Sequence, residues 1–370
     1  MSQSAATPAL AEILAHFPID GKAFTTAPYG NGHINDTFVV NAAEETGNTR
    51  RYIAQRINHR IFKDVAGLME NVQRVTEHLG RKAGPSSRQL AVVQTESGAS
   101  HTRDADGGWW RLYDFIEGAH TVDRVTTEAE ATEAAKAFGD FQAQLADLPG
   151  GRLQETIPNF HHTRSRFENF RRAVKDDAVG RAQDVQADID LAFASEADSD
   201  VLLDLLAKGE VSERVTHNDT KINNVMLDNT THRAVAVIDL DTVMPGLPLY
   251  DFGEMVRTST STTFEDDPQA DNMRFELSYF RALVSGYLSS SVGQVLNATE
   301  RAHLAFAGKL MTYENALRFL TDYLQGDTYY KVAYPTHNLV RTRTQFALMR
   351  SMAAQADAVN RILDEIAHPA

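Results

Sequence analysis

The chain contains no cysteine, which excludes disulfides, thiolate nucleophiles and cysteine-ligated zinc. It has no apolar run near the ~20 residues that a membrane-spanning helix needs, so no membrane partner is expected. Positive charge is in deficit: 36 lysines and arginines against 50 aspartates and glutamates leave a net charge of −14. Broad electrostatic binding to nucleic acid is thereby disfavoured, and an anionic ligand must be met by local basic side chains, backbone amides or a cation. The string G-x-x-x-x-G-K-[ST] is missing, which rules out a P-loop, and so is the zinc-binding H-E-x-x-H. Residues 1–18 carry no basic stretch followed by an apolar core and a small-residue cleavage site, so the cytoplasm is the expected address. Nothing points to an obligatory protein partner.

What is present is a globular composition, 42% apolar and 23% charged, over 370 residues. That length exceeds a typical domain of roughly 100–200 residues and predicts two domains or two lobes. Residues 36–40 and 51–57 are β-prone runs around a polar turn at 41–49. Leu68, Met69, Val72, Val75 and Leu79 recur at helical spacing, so 65–79 reads as an amphipathic helix. Two more strands are expected at 90–95 and 109–116. From 126 onward the character changes: 128–148, 162–175, 182–208 and most of 269–370 read as helices, interrupted by strands across 224–238. The expected fold class is therefore α+β, a small mixed N-terminal lobe over 1–117 and a large, mainly helical C-terminal lobe over 118–370. Gly118 follows the last strand of the first lobe and is placed to act as a hinge.

The most specific constellation is His217, Asp219 and Asn224 in the pattern H-x-D-x-x-x-x-N. Asn224 opens one β-prone run and Asp239 closes the next, and the turn between them lies at 228–233. Equal spacing from that turn predicts that Asn224 and Asp239 face one another across a hairpin. An amide oxygen and a carboxylate so placed can share a magnesium ion, a hard cation that retains waters and phosphate oxygens as its other ligands. Asp219, a few residues earlier, is placed to accept the proton of an attacking hydroxyl. The string Asp251-Phe252-Gly253 imitates a kinase metal motif, yet it falls outside the hairpin. Asp239 is the better ligand, and Asp251 is expected to support the catalytic loop through hydrogen bonds, with His217 as a second brace. Asp241 is open between a supporting role and a solvated one.

Upstream, Tyr29-Gly-Asn-Gly-His-Ile-Asn-Asp-Thr37 is a glycine-containing turn leading into a strand, suited to cradle phosphates through backbone amides at Gly30 and Gly32. In the strand 52–57, Gln55 and Arg56 stand where a basic phosphate anchor is expected, and alternation allows only one of them to face inward. Glu70 or Glu77 on the following helix can pair with a basic residue there. His33, Asn35 and His161 lie near the expected cleft.

Together these residues resemble the aminoglycoside phosphotransferase and choline kinase superfamily, small-molecule kinases with the two-lobed protein-kinase-like fold. More narrowly, Gly32-His-Ile-Asn-Asp-Thr37, Tyr52-Ile-Ala-Gln-Arg-Ile-Asn58, His217-Asn-Asp-Thr-Lys221, Ile238-Asp-Leu-Asp-Thr242 and Asn338-Leu-Val-Arg-Thr-Arg-Thr-Gln345 are similar to the N-acetylhexosamine 1-kinases. The resemblance implies ATP as phosphoryl donor, Mg2+ as cofactor, and a small-molecule sugar, N-acetylglucosamine or N-acetylgalactosamine, as acceptor at its anomeric hydroxyl. It places the adenine against the linker at Phe115 to Gly118, including Glu117, and Asp219 against the acceptor hydroxyl. Arg318 and Tyr329 are implied sugar contacts, with His33 and Asn35 beside them, although Arg318 and Asp322 are also spaced for a routine helix salt bridge. Other acceptors of the superfamily, such as another sugar, an aminoglycoside or choline, are the alternative. A catalytically silent nucleotide-binding module predicts loss of the base or a metal ligand, and Asp219 and Asp239 are both present.

Overall fold

Alternation along the N-terminal strands sorts their side chains onto two faces, and each face is covered by a different helix. The computed structural model describes residues 4–5, 8–19, 23–30, 34–43, 48–83 and 88–367. Its first part contains β1 (Ser4–Ala5), α1 (Pro8–Leu14), β2 (Ala23–Pro28), β3 (Asp36–Ala43), β4 (Thr49–Ile57), α2 (Val65–Lys82), β5 (Val92–Val93), β6 (Thr102–Arg103) and β7 (Trp109–Asp114). The strands form one antiparallel sheet in the order β1-β2-β3-β4-β7-β5, with β6 also paired to β7. Tyr52, Ala54, Trp110 and Leu112 project to one side and pack with Leu10 and Ile13 of α1. Ile53, Ile57 and Tyr113 project to the other and pack with Leu68, Met69 and Val72 of α2. Helix α2 starts where the Asp64 carboxylate accepts from the Gly67 amide at 3.0 Å, a side-chain cap on otherwise orphaned donors.

The remainder is mostly helical: β8 (Ala119–His120), α3 (Glu128–Gln144), α4 (Thr163–Asp176), α5 (Gln186–Ala194), α6 (Val201–Ala207), β9 (Arg214–Thr216), β10 (Val225–Asp228), β11 (Ala234–Val237), β12 (Met244–Gly246), α7 (Pro248–Ser259), α8 (Leu277–Ser289), α9 (Ala298–Ala302), α10 (Leu304–Leu324), α11 (His337–Ala354) and α12 (Ala356–Ala367). A small antiparallel sheet with a largely helical remainder is the expected α+β class. The expected helix over 182–208 is broken, because 196–200 forms a 3-10 turn between α5 and α6. Its run of acidic residues and serine favours local turns over a continued helix. Among the described residues, no helix is long and apolar enough to cross a membrane.

The string Asp251-Phe252-Gly253 lies inside α7, and its glycine has a packing role. A Cβ at Gly253 would sit 2.3 Å from the carbonyl oxygen of Ala307 and 2.6 Å from Met311 Cγ, both on α10. Helices α7 and α10 therefore approach more closely than any side chain allows. Gly253→Ala is expected to cost about 1–3 kcal/mol through overpacking. Thermal denaturation reads this as a lowered Tm, and an unchanged Tm would contradict the close approach.

Candidate active site

The loop that carries His217 and Asp219 runs from β9 into β10, and its shape is fixed from beneath. Asn218 has a left-handed backbone, φ 64°, a conformation that a polar Asn tolerates better than most residues. The buried Asp251 carboxylate accepts from the amides of His217 at 2.9 Å and Asn218 at 2.7 Å, and from Gln142 Nε2 at 2.6 Å. Burial pushes its pKa above the ordinary carboxylate value, a shift that His217 and these donors only partly offset. The His217 ring packs edge-on against Phe138 and Phe141, and its Nε2 lies 3.0 Å from the Ile238 carbonyl. Asp251 and His217 thus brace the loop as expected, from α7 and from α3.

Asp219 projects from this loop and is about a quarter exposed. Lys221 Nζ meets its Oδ1 at 2.7 Å, and Asn224 Nδ2 donates to its backbone oxygen at 2.8 Å and to Oδ2 at 3.2 Å. Burial alone would raise the Asp219 carboxyl, but Lys221, His217 and Asn224 outweigh it and hold the group below its ordinary value. It is ionised at neutral pH and can accept a proton. Asn224 Nδ2 is committed to Asp219, and its Oδ1 takes no hydrogen bond from any described residue.

The hairpin forms, with its register displaced by one residue from the expected one. Val225 pairs with Val237, and the Ile238 amide donates to the Asn224 carbonyl at 2.9 Å, so Ile238 stands opposite Asn224 where Asp239 was expected. The turn centres earlier than equal spacing assumed, with Leu227 opposite Ala234 and the Asp228 amide donating to the Arg233 carbonyl, and an irregularity between Met226 and Leu227 recovers only part of that offset. Asp239 leaves the strand in a left-handed conformation, φ 61°, and its side chain has no hydrogen-bond or ion-pair partner among the described residues. It keeps exposed surface, while the protein packed around it displaces much of the bulk water. That burial, followed by the negative charges of Asp241 and Asp219, pushes its carboxyl up to about 7 against the pull of Arg111 and Lys221. An unpaired carboxylate held among like charges, beside an unspent amide oxygen, fits a hard divalent cation.

Asp241 is different in kind. It is buried, its Oδ1 lies 2.5 Å from Arg111 Nη1, and its Oδ2 accepts from Asn35 Nδ2 at 2.6 Å. With both oxygens engaged by protein, it is a supporting group.

On the sheet side, Gly30 adopts φ 76° with open space around it, while Gly32 and His33 lie outside the described residues. Gln55 turns toward α2, where its Oε1 accepts from Arg111 Nε at 3.0 Å and Nη2 at 2.8 Å, and its Nε2 donates to Thr37. Arg56, expected as a possible phosphate anchor, is on the opposite face, with its Nε 3.5 Å from Asp104. Strand alternation removes it from the inner face. Asn35 is also engaged at both ends, by Asp241 and by the Asn58 amide at 2.9 Å. Glu70 and Glu77 meet Arg74 and Gln73 on their own helix, so neither carboxylate pairs with a basic residue of the strand among the described residues. In the linker, Arg51 lies 3.8 Å over the Phe115 ring and pairs with the Glu117 carboxylate, while Arg88 donates to the carbonyls of Glu117 and Gly118.

Beyond Asp219, α10 supplies Glu314 and Arg318. The buried Glu314 accepts at 2.7 Å from His161, whose other nitrogen lies 2.9 Å from the Asn218 carbonyl, and at 2.9 Å from Thr163. Burial tends to raise it, but His161, Arg166 and Arg318 hold it below its ordinary value. The Arg318 guanidinium sits over the rings of Phe160 and Tyr330 at 5.2 and 5.8 Å and donates no hydrogen bond to any described residue. Asp322 does not pair with it: its oxygens accept from the amides of Thr328, Tyr329 and Tyr330 and from Asn338. Tyr329 is 61% exposed, with its ring against Tyr330.

Three charged residues here escaped sequence reasoning: Arg111, Lys221 and Arg166. Arg111 had a signal, a charge in the middle of an otherwise apolar strand, and Lys221 stands two places after Asp219 in the motif.

A small antiparallel sheet followed by a mostly helical remainder is the protein-kinase-like architecture. The chain belongs to the phosphotransferase enzyme family (APH), whose family profile matches residues 25–288. Among solved structures, an aminoglycoside phosphotransferase from Alicyclobacillus acidocaldarius is similar with a TM-score of 0.57 at 16% identity, over 98% of each chain. Spectinomycin phosphotransferase, solved with ADP and spectinomycin, gives 0.55 at 13%, over 95% of this chain and 99% of its own. Choline kinase from Cryptosporidium parvum gives 0.51 at 15%, over 97% and 99%. At these identities the likeness is one of fold.

Proposed function

We propose that this protein transfers the γ-phosphoryl group of ATP to the anomeric hydroxyl of an N-acetylhexosamine, N-acetylglucosamine or N-acetylgalactosamine. Residues 1–117 form the nucleotide-binding lobe and 118–370 the catalytic and acceptor lobe. The observation that carries the acceptor assignment is the balance of charge past Asp219. Carboxylates there are spent on protein partners, Glu314 on His161 and Thr163 and Glu254 on Arg257, whereas the Arg318 donors are unspent beside aromatic rings. A cationic acceptor such as choline needs the reverse. A neutral, hydroxyl- and amide-bearing ring suits a guanidinium donor and flat aromatic faces.

Asp219 accepts the proton of the C1 hydroxyl as that oxygen forms its bond to the γ-phosphorus and the bond to the bridging oxygen of ADP breaks. Lys221 keeps the carboxylate ionised until then. Asn224 Oδ1 and the Asp239 carboxylate would hold Mg2+, which neutralises charge developing on the β- and γ-phosphates. The turn at Gly30 covers the phosphates, and the linker at Phe115 to Glu117 lies against the adenine.

Incubation with γ-labelled ATP across free hexosamines, choline and aminoglycosides tests the assignment. Label is expected on the N-acetylhexosamines; label on choline or an aminoglycoside alone would reject it. Arg318→Ala is expected to raise the acceptor KM by roughly 10–100-fold, the value of a charge-assisted hydrogen bond of about 1.5–3 kcal/mol. The KM for ATP should hold, and a rise in both would remove Arg318 from the acceptor site.

A further inference from the structure

On the inner face of strand β4, Gln55 stands where a basic phosphate anchor was expected, and Arg51, on the same face near the start of the strand, is paired with Glu117 in the linker. Positive charge has moved one strand across. Directly opposite Gln55 in the ladder is Arg111 of β7, 1% exposed, with α2 over it through Met69. Gln55 Oε1 takes Nε and Nη2 at 3.0 and 2.8 Å, and Asp241 takes Nη1 at 2.5 Å. Asp241 in turn accepts from Asn35 at 2.6 Å, and Asn35 from the Asn58 amide at 2.9 Å. One line of contacts thus runs from the sheet to the 3-10 turn Leu240–Thr242, immediately after Asp239, and back to the segment that follows the glycine turn. Burying a guanidinium and a carboxylate costs several kcal/mol per ion, and two apolar side chains would often be as stable. A buried pair in this position therefore calls for a role beyond stability.

We propose that Arg111 is a positioning residue of the nucleotide site. Through Asp241 it fixes Asp239, and through Asn35 it fixes the segment that leads into β3, so that the buried cation of β7 orders the site without meeting the phosphates. This rests on the kinase function proposed above. Arg111 does not touch the phosphates, because Nε, Nη1 and Nη2 each have a protein partner. Its fork geometry is what lets one side chain hold Gln55 and Asp241 together; a lysine ammonium keeps the charge and loses the fork.

The test is ADP binding by calorimetry, with and without magnesium, for the full chain and for Arg111→Met, Arg111→Lys and Asn35→Ala. Arg111→Met is expected to lose roughly 10–100-fold in magnesium-supported affinity, the usual cost of removing a group that orients a metal ligand, with a much smaller change when magnesium is absent. Arg111→Lys should fall between it and wild type, and Asn35→Ala should move in the same direction by less. A folded Arg111→Met protein that keeps the wild-type gain from magnesium overturns the proposal. Should that variant fail to fold, Asn35→Ala decides, since it cuts the line at its part-buried end; a wild-type magnesium gain there also overturns it. Wild-type protein that binds no ADP defeats the kinase function itself and this proposal with it, a result distinct from equal binding by wild type and variant.

Discussion

Asp219→Asn should lower turnover by about 10²-fold or more while ATP continues to bind. The substitution keeps the size of the side chain but leaves one oxygen for two donors, Asn224 Nδ2 and Lys221 Nζ. It removes the carboxylate charge and with it the capacity to take a proton. The loop should not collapse, because its shape comes from Asp251 and His217 below it rather than from Asp219. Single-turnover measurements on the folded variant, with nucleotide affinity measured alongside, separate the two effects. Turnover within a few-fold of wild type would show that another group accepts the proton.

Asp239→Ala should reduce magnesium-stimulated turnover to the level seen without metal. Asp239 has no side-chain partner among the described residues to lose, so a structural explanation for that loss is weak from the outset. The comparison with Asp241, two residues away, sharpens the test. Asp241 is buried and saturated by Arg111 and Asn35, so its loss leaves a buried guanidinium uncompensated and should lower Tm. Asp239→Ala should hold or raise Tm, because it removes a carboxylate that Asp219 and Asp241 repel. A metal titration and a melting curve on each variant check this. An Asp239→Ala protein that remains active and responsive to magnesium would take Asp239 out of the site.

The catalytic loop was legible in the sequence because its parts are local. Asp219 and Asn224 lie within one turn, and Asp251 was set aside as a ligand simply by lying beyond the hairpin. The hairpin register was not legible, since it depends on where the turn centres and on an irregularity between Met226 and Leu227, where β10 is also paired with β8. Alternation made it clear that Gln55 and Arg56 face opposite ways, but not which face α2 would cover. Arg111 and Asp241 are far apart in the chain and meet only when the sheet closes on the helical part. Arg318 and Asp322 have the spacing of a helix pair; tertiary folding instead turns Asp322 to the amides of 328–330 and to Asn338 on α11. Side chains that serve their own turn can be read from sequence, and those that bridge distant elements cannot.

The most direct measurement is the identity of the product, by phosphorus NMR on the protein incubated with ATP, magnesium and N-acetylglucosamine or N-acetylgalactosamine. The expected spectrum has a sugar phosphate whose phosphorus couples to the anomeric proton, formed in step with ADP and missing with Asp219→Asn. Phosphate on any other hydroxyl of the sugar, or N-acetylhexosamines left untouched while choline or an aminoglycoside is phosphorylated, would contradict it.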